Sequence, residues 1–311
     1  MRTKTILALL LFFSVSCVKE IEMKKQYIEK RLVLNGLICP DSLIAVKVSK
    51  TTSILDNYIE YIDNANVKLF CNDTLLENLT YSSKGRYASK TVYPTENNYY
   101  TVEVELEGYP TIRATDTVPE KTFITYGTHS SGNTYDEYGD PHHDYEITIA
   151  DKSKRNFYEL FFIDQYFPNE YSDHYYINFQ WGITFADPVL RADSELDFSP
   201  LTYVFSDNHF NGSDYSMYNK FLAASVGYKF NQPIAPTEND RYAILRTTTS
   251  VYYNYRKFWL RHKNNQQVGD IIEEPMFSTH IGEPVPMYSN VENGYGIFAA
   301  YNQTIYKLKE Q

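Results

Sequence analysis

The chain has 311 residues, with 29 Lys and Arg against 39 Asp and Glu for a net charge of −10. That acidity excludes nucleic acid as a partner, because binding its phosphates needs clustered cations. The 30 tyrosines and 18 phenylalanines, together with frequent Val, Ile and Thr, favour strands and exclude a long helical bundle.

At the N-terminus, Arg2 and Lys4 lead an apolar run over 6–13, which Ser14, Val15 and Ser16 connect to Cys17. This is the order of a secretory signal peptide. The run is too short to cross a bilayer, which takes about 20 apolar residues. A signal that ends directly at a cysteine resembles a bacterial lipoprotein signal, in which the cysteine receives lipid and becomes the new N-terminus. Residues 1–16 are therefore expected to be a lipoprotein signal peptide, and Cys17 the lipid anchor that makes a membrane the first partner. Loss of Arg2 and Lys4 leaves 27 bases (29 − 2) against 39 acids, a mature charge near −12. With Cys17 committed to lipid, Cys39 and Cys71 form the remaining even pair, either a disulfide or two separate buried thiols.

Residues 17–26, which contain the charged stretch KEIEMKK, read as a solvated tether. Beyond it, RLVLNGLI (31–38), LIAVKVSK (43–50), ANVKLFCN (65–72) and YYTVEVELEGY (99–109) alternate or run apolar between turn signals. In the last segment Tyr100, Val102, Val104 and Leu106 share one face, and Thr101, Glu103, Glu105 and Glu107 share the other. The spacing predicts an immunoglobulin-like β-sandwich over 27–119. A larger β-rich domain is expected over 120–311. Its stretch 128–146 is rich in Gly, Asn and Asp and reads as a long loop or hairpin excursion, after which YEITIAD, FYELFFID and YYINFQWGITF are strands. A polar and aromatic region over 187–220 precedes the strand-like YKFNQPI and RYAILRTTT. One amphipathic helix follows, with Ser250 as its cap and Val251, Tyr255, Phe258, Trp259 and His262 along one stripe. The chain closes on the strand-like GIFAAYN. The fold class is thus mainly β: an N-terminal immunoglobulin-like sandwich followed by a larger β-rich domain with one amphipathic helix.

Three clusters carry candidate chemistry. DEYGDPHHDYE gathers imidazoles and carboxylates suited to Zn²⁺, Cu²⁺ or Ni²⁺, with His142, His143, Asp140 and Asp144 as metal ligands. Adjacent histidines on a strand point to opposite faces, so these two converge only from an irregular loop; a solvated acidic loop is the alternative. DNHFNGSDYSMY (207–218) begins like a calcium loop through Asp207, Asn211, Gly212 and Asp214, but His209 and Tyr218 stand where that loop needs a carboxylate or amide and a Glu. It reads better as a turn. The surplus aromatics Tyr171, Tyr175, Trp181, Phe210 and Tyr215 lie in polar stretches, as stacking or contact anchors or as rim of the core. NGYGIF (293–298) lacks the third glycine of a phosphate loop and predicts a turn with positive φ, and no nucleophile or metalloprotease motif is present. No cofactor is expected beyond the metal option.

Several stretches in order, LVLNGLI, NANVKLF, EGYPTIRATDTVP, FADPVL, FSDNHFNGSDY and SNVENGYGIFAAYN, resemble a Bacteroidota family of outer-membrane lipoproteins, domain of unknown function 4249. The resemblance covers nearly the whole mature chain. It implies a β-sandwich followed by a second β-rich domain, encoded beside TonB-dependent receptors, and it supplies no catalytic residues. Such lipoproteins often carry an acidic export signal after the cysteine; here Ile21 interrupts Glu20 and Glu22. Asp41-Ser42-Leu43, Asp73-Thr74-Leu75 and Asp116-Thr117-Val118 look like the triplets that this phylum O-glycosylates. The expected function is a non-enzymatic accessory or ligand-capture partner of a TonB-dependent transporter at the outer membrane, facing the cell surface. Its alternatives are a structural subunit of an outer-membrane assembly and a surface hydrolase of glycans or peptides.

Overall fold

The computed structural model describes residues 29–53, 56, 58–135, 139, 141–166, 176–179, 183–185, 187–194, 200, 202–222, 228–229, 232–233, 239–270 and 285–311. The protein is mainly β. The first strands are β1 (Leu32–Ile38), β2 (Ala45–Lys50), β3 (Glu60–Tyr61), β4 (Asn66–Cys71), β5 (Thr74–Asn78), β6 (Thr80–Ser83), β7 (Arg86–Ala88), β8 (Tyr99–Glu105) and β9 (Ile112–Thr117). Next come β10 (Phe123–Tyr135), β11 (Pro141–Ala150), β12 (Phe157–Tyr166), β13 (Tyr176–Phe179), β14 (Ile183–Phe185), helix α1 (Pro188–Ser194), β15 (Tyr203–Ser206) and β16 (Tyr215–Leu222). The chain ends with β17 (Tyr228–Lys229), β18 (Gln232–Pro233), β19 (Asn239–Thr248), helix α2 (Ser250–Asp270), β20 (Tyr295–Lys307) and β21 (Lys309–Glu310).

One ten-stranded sheet runs through the molecule in the order β13-β12-β19-β20-β1-β2-β7-β6, with β15 on β12 and β3 on β2. A four-stranded sheet, β5-β4-β8-β9, and a five-stranded sheet, β14-β16-β11-β10-β21, accompany it. Each smaller sheet shares a core with part of the large one. In the first core, Leu32, Leu34, Val46 and Val48 meet Val67, Leu69, Val102, Val104 and Ile112. The second brings Tyr145, Ile147, Ile149 and Met217 against Tyr158, Leu160, Phe162, Ala243 and Leu245. The period-two reading of 99–109 holds for its apolar face, since Tyr100, Val102 and Val104 are buried. Thr101 is buried as well, because its hydroxyl meets that of Thr115 at 2.7 Å across β9.

Strand β20 belongs to both cores. Tyr295 to Ala300 pair parallel with Val33 to Ile38 of β1, and Tyr301 to Lys307 pair antiparallel with Thr248 to Tyr242 of β19. Val291, Phe298 and Ala300 therefore lie in the first core together with residues from 32 to 118. The Gly-x-Gly of NGYGIF serves this pairing. Gly296 has φ +115°, and a Cβ there would stand 2.0 Å from the Leu34 carbonyl oxygen, so no side chain fits between β20 and β1.

The stretch 128–146 is a long hairpin, not a loop. β10 and β11 pair from Phe123↔Ala150 to Tyr135↔Pro141, with register shifts after Ile124 and Ser131. The polar stretch over 187–220 likewise contains α1, β15 and β16. Sheet partners distant in sequence satisfy backbone groups that local composition assigns to solvent. The cap of helix α2 lies one residue before the expected one: the Thr249 hydroxyl accepts the Tyr252 amide at 3.1 Å, which makes Thr249 the cap and Ser250 the first helical residue. Its deepest residues are Tyr252, Tyr253 and Leu260, while Val251, Tyr255, Phe258, Trp259 and His262 are half-buried. The face chosen is the one that pairs Arg256 with a buried acid on the sheet.

Asp116 of β9 joins the halves. Its Oδ2 accepts the Thr249 hydroxyl at 2.6 Å and the Ala300 amide at 2.7 Å, and its Oδ1 accepts the Thr117 amide at 2.9 Å. One carboxylate thus holds β9, β20 and the cap of α2. Burial pushes its carboxyl up to about 6, against the opposing pull of those three donors.

Two outcomes follow from these contacts. Gly296→Ala is expected to lower the urea unfolding midpoint by the equivalent of at least about 2 kcal/mol, through strain and collision with Leu34; an unchanged midpoint rules the account out. For Asp116 the folded chain binds the proton more tightly than the unfolded one. Its contribution is complete below about pH 4 and is lost as pH rises to about 6, a fall of about 3 kcal/mol. Asp116→Asn should flatten that step in a plot of stability against pH, and a variant that retains it refutes the assignment.

Candidate functional site

Among the described residues, a dense charged cluster lies on the outer face of the large sheet, beneath α2. Glu159 sits mid-strand in β12 among the apolar residues of FYELFFID, directly opposite Arg246 of β19. It is fully buried. Its Oε1 accepts Thr202 Oγ1 at 2.9 Å and Arg256 Nε and Nη2 at 2.9 and 2.6 Å; its Oε2 accepts Arg246 Nη1 at 3.0 Å and the Tyr252 hydroxyl. Burial raises the carboxyl, but Arg256 and Arg246 outweigh it and hold Glu159 below the usual carboxylate range. The same burial raises the Tyr252 hydroxyl far above its ordinary value, with the Glu159 charge adding to the effect.

Aromatic rings complete the cluster. The Arg246 guanidinium lies 4.6 Å from the Tyr301 ring centroid and 4.9 Å from that of Phe161, and Arg256 lies 4.3 Å from that of Trp259. Both oxygens of Glu159 are taken by cations or hydroxyls, so the group is a clamp between α2, β12 and β19 and has no lone pair set aside for proton transfer. The sequence carried one signal of it. A glutamate inside an otherwise apolar strand demands a buried partner, but only the register identifies Arg246.

The residues singled out from the sequence are placed as follows. His142 and His143 both lie within β11 and therefore point to opposite faces; they do not converge. His142 is buried and no hydrogen-bond donor or acceptor meets its Nε2. His143 shares its face with His129 of β10, and the Arg241 guanidinium approaches both: 3.0 Å from His129 Nδ1, 3.5 Å from His143 Nδ1 and 3.4 Å from His143 Nε2. Burial and then the Arg241 charge push the His143 imidazole down to about 4. A fixed cation at that distance repels a metal ion. Asp144 meets Lys220 at 3.9 Å, and Asp140 lies outside the described residues. Among the described residues no group of three His, Cys, Asp or Glu side chains is placed to hold a metal.

Phe210 is a core residue and not an exposed platform: it is buried and stacks on Tyr215 with centroids 4.8 Å apart. Tyr215 donates its hydroxyl to Asp187 Oδ1 at 2.8 Å, and burial pushes that hydroxyl up to about 12. Tyr171, Tyr175 and Trp181 lie outside the described residues, as does Cys17. Cys39 and Cys71 are free thiols. Cys39 follows β1 in the large sheet and Cys71 ends β4 in the facing one; facing sheets stand about 10 Å apart, whereas a disulfide needs Cα atoms within about 7 Å. Of the Asp-Ser/Thr triplets, Ser42, Thr74 and Thr117 are exposed, while Asp116 and Val118 of the third are buried.

A second polar cluster ties two loops together. Asp207, ending the β15 turn, accepts the Asn156 amide at 2.6 Å through Oδ2, and its own amide donates to the Asn156 carbonyl at 3.2 Å. From the neighbouring loop Asp151 accepts the Gly212 amide at 2.7 Å and the Tyr158 hydroxyl. Gly212, at φ +76°, provides the turn expected over 207–218.

Glu159→Gln is expected to cost about 3–5 kcal/mol, since it removes the buried charge that pairs with two half-buried guanidinium groups. Denaturant unfolding measures it, and a loss under about 1 kcal/mol removes the clamp from the account.

No curated protein matches the chain. A family model described as a domain of unknown function (DUF4249) matches residues 18–307, and the chain belongs to that family.

Proposed function

We propose that the protein is an outer-membrane lipoprotein, anchored through Cys17 and facing the cell surface, that acts as a non-enzymatic accessory or ligand-capture partner of a TonB-dependent transporter. The observation that carries this reading is the N-terminal order of Arg2 and Lys4, an apolar run over 6–13 and Cys17. The resemblance to lipoproteins encoded beside such receptors supports the partner. The body that follows supports a binding role over chemistry: Glu159, a fully buried carboxylate, is saturated by Arg246, Arg256, Tyr252 and Thr202. The mechanism is positional. A lipid tether holds the folded body beside the transporter mouth and raises the effective concentration of whatever it binds there.

Metabolic labelling with palmitate, followed by affinity purification from detergent-solubilised membranes, tests both parts. The native chain is expected to carry label and to recover a TonB-dependent receptor, and Cys17→Ala to lose the label and the membrane fraction. Labelled protein that recovers no such receptor sinks the partnership; unlabelled native protein sinks the anchor.

A further inference from the structure

We propose that the outer face of β1, β2 and β7 docks an acidic patch of a partner protein, with Lys47 and Arg86 as the charged anchors. The inference starts from the register. Lys47 of β2 stands directly opposite Arg86 of β7, and Asn35 of β1 stands opposite Lys47 on its other side. All three are exposed. Like charges directly opposite each other on a sheet repel, and no carboxylate meets either side chain among the described residues. The remaining residues of the three strands on this face, Val33, Leu37, Ala45, Ser49 and Ala88, are uncharged. A chain with 39 acids against 29 bases thus leaves these two cations without a counter-charge.

The other outer face of the same sandwich is built the opposite way. Lys68 of β4 stands opposite Glu103 of β8, and Glu103 opposite Arg113 of β9, so charge alternates from strand to strand. Lys68 Nζ lies 3.5 Å from Glu103 and also pairs with Glu105. That face is neutralised from within, whereas Lys47 and Arg86 call for an anion from outside. Their surroundings fit a protein. Tyr61 and Tyr295 share the face through their pairing with Ser49 and Val33, and the Tyr61 ring lies against Gly85. Tyr61, Leu37 and Tyr295 are 38%, 41% and 48% exposed. Protein interfaces are enriched in arginine and tyrosine, and their charges are matched by opposite charge on the partner. A small ligand instead needs a concave site that buries most of it, which an open sheet face does not provide. The proposal deepens the accessory reading, on which it rests in taking the partner from the membrane beside the anchor.

The full chain, expressed in its own cells with the photo-crosslinking residue p-benzoylphenylalanine in place of Asn35, tests this; the same residue in place of Asn66, exposed on the other outer face, is the control. Irradiation is expected to join position 35 to a protein through a peptide that contains Asp or Glu, and to leave position 66 without that adduct. Lys47→Glu should weaken the adduct at least about tenfold, and Lys47→Arg should keep it. Because Lys47→Glu turns a like-charge pair into an opposite-charge pair with Arg86, its Tm is expected to be no lower than that of the native chain, which separates a lost adduct from misfolding. No protein adduct, an adduct with glycan, lipid or a second copy of this chain, an adduct that persists in Lys47→Glu, equal adducts at both positions, or a lower Tm in Lys47→Glu would each overturn the proposal. A charge-dependent adduct with a protein other than a TonB-dependent receptor upholds the docking face and sinks only the partnership.

Discussion

The structure depends on the double pairing of a single strand. β20 gives its first six residues to β1 in parallel and its last seven to β19 in antiparallel, so the large sheet is continuous from one core to the other. Parallel pairing of a chain's last long strand with its first can form only after both ends have been made and brought together. The glycine at 296 makes the approach possible, and Asp116 locks it by binding the Ala300 amide 184 positions away. A first sandwich built from 27–119 alone would lack Val291, Phe298 and Ala300 from its core.

Charge is used inside this protein as a joint. Glu159 draws Arg246 from the adjacent strand and Arg256 from the helix, Asp116 draws the cap of the same helix, and Asp187 caps α1 by accepting the Val189 amide while it holds Tyr215. Each carboxylate receives several donors, which is what lets it remain ionised or hydrogen-bonded away from water. The long helix is therefore fixed by polar contacts at its first two turns as much as by its apolar face. Asp207 breaks the pattern, because one of its oxygens has no donor.

Among the described residues, tyrosine serves both the cores and the surface: Tyr58, Tyr93, Tyr135 and Tyr295 are exposed. Tyr145, Tyr158 and Tyr252 are fully buried, and Phe210 and Tyr215 stack within the second core. Where the rings are buried, the hydroxyl of Tyr158 is committed to Asp151 and that of Tyr252 to Glu159. The histidine pair shows the opposite limit of local reading. Their alternation on a strand was legible; the Arg241 guanidinium between His129 and His143, which makes that face hostile to a metal ion, was not.

By itself the sequence determined the signal-like start, the mainly β class, the apolar face of 99–109, the turn that opens NGYGIF and the existence of one long helix. All of these rest on period, composition or turn chemistry within about a dozen residues. Only the tertiary structure decided which core receives β20, which arginines meet Glu159, that Cys39 and Cys71 stay apart, and that Asp151 stands beside Asp207. The physical reason is range. Those contacts reach as far as Val33 and Tyr295, 262 positions apart (295 − 33), and local periodicity records which face a residue presents without recording what will lie against it.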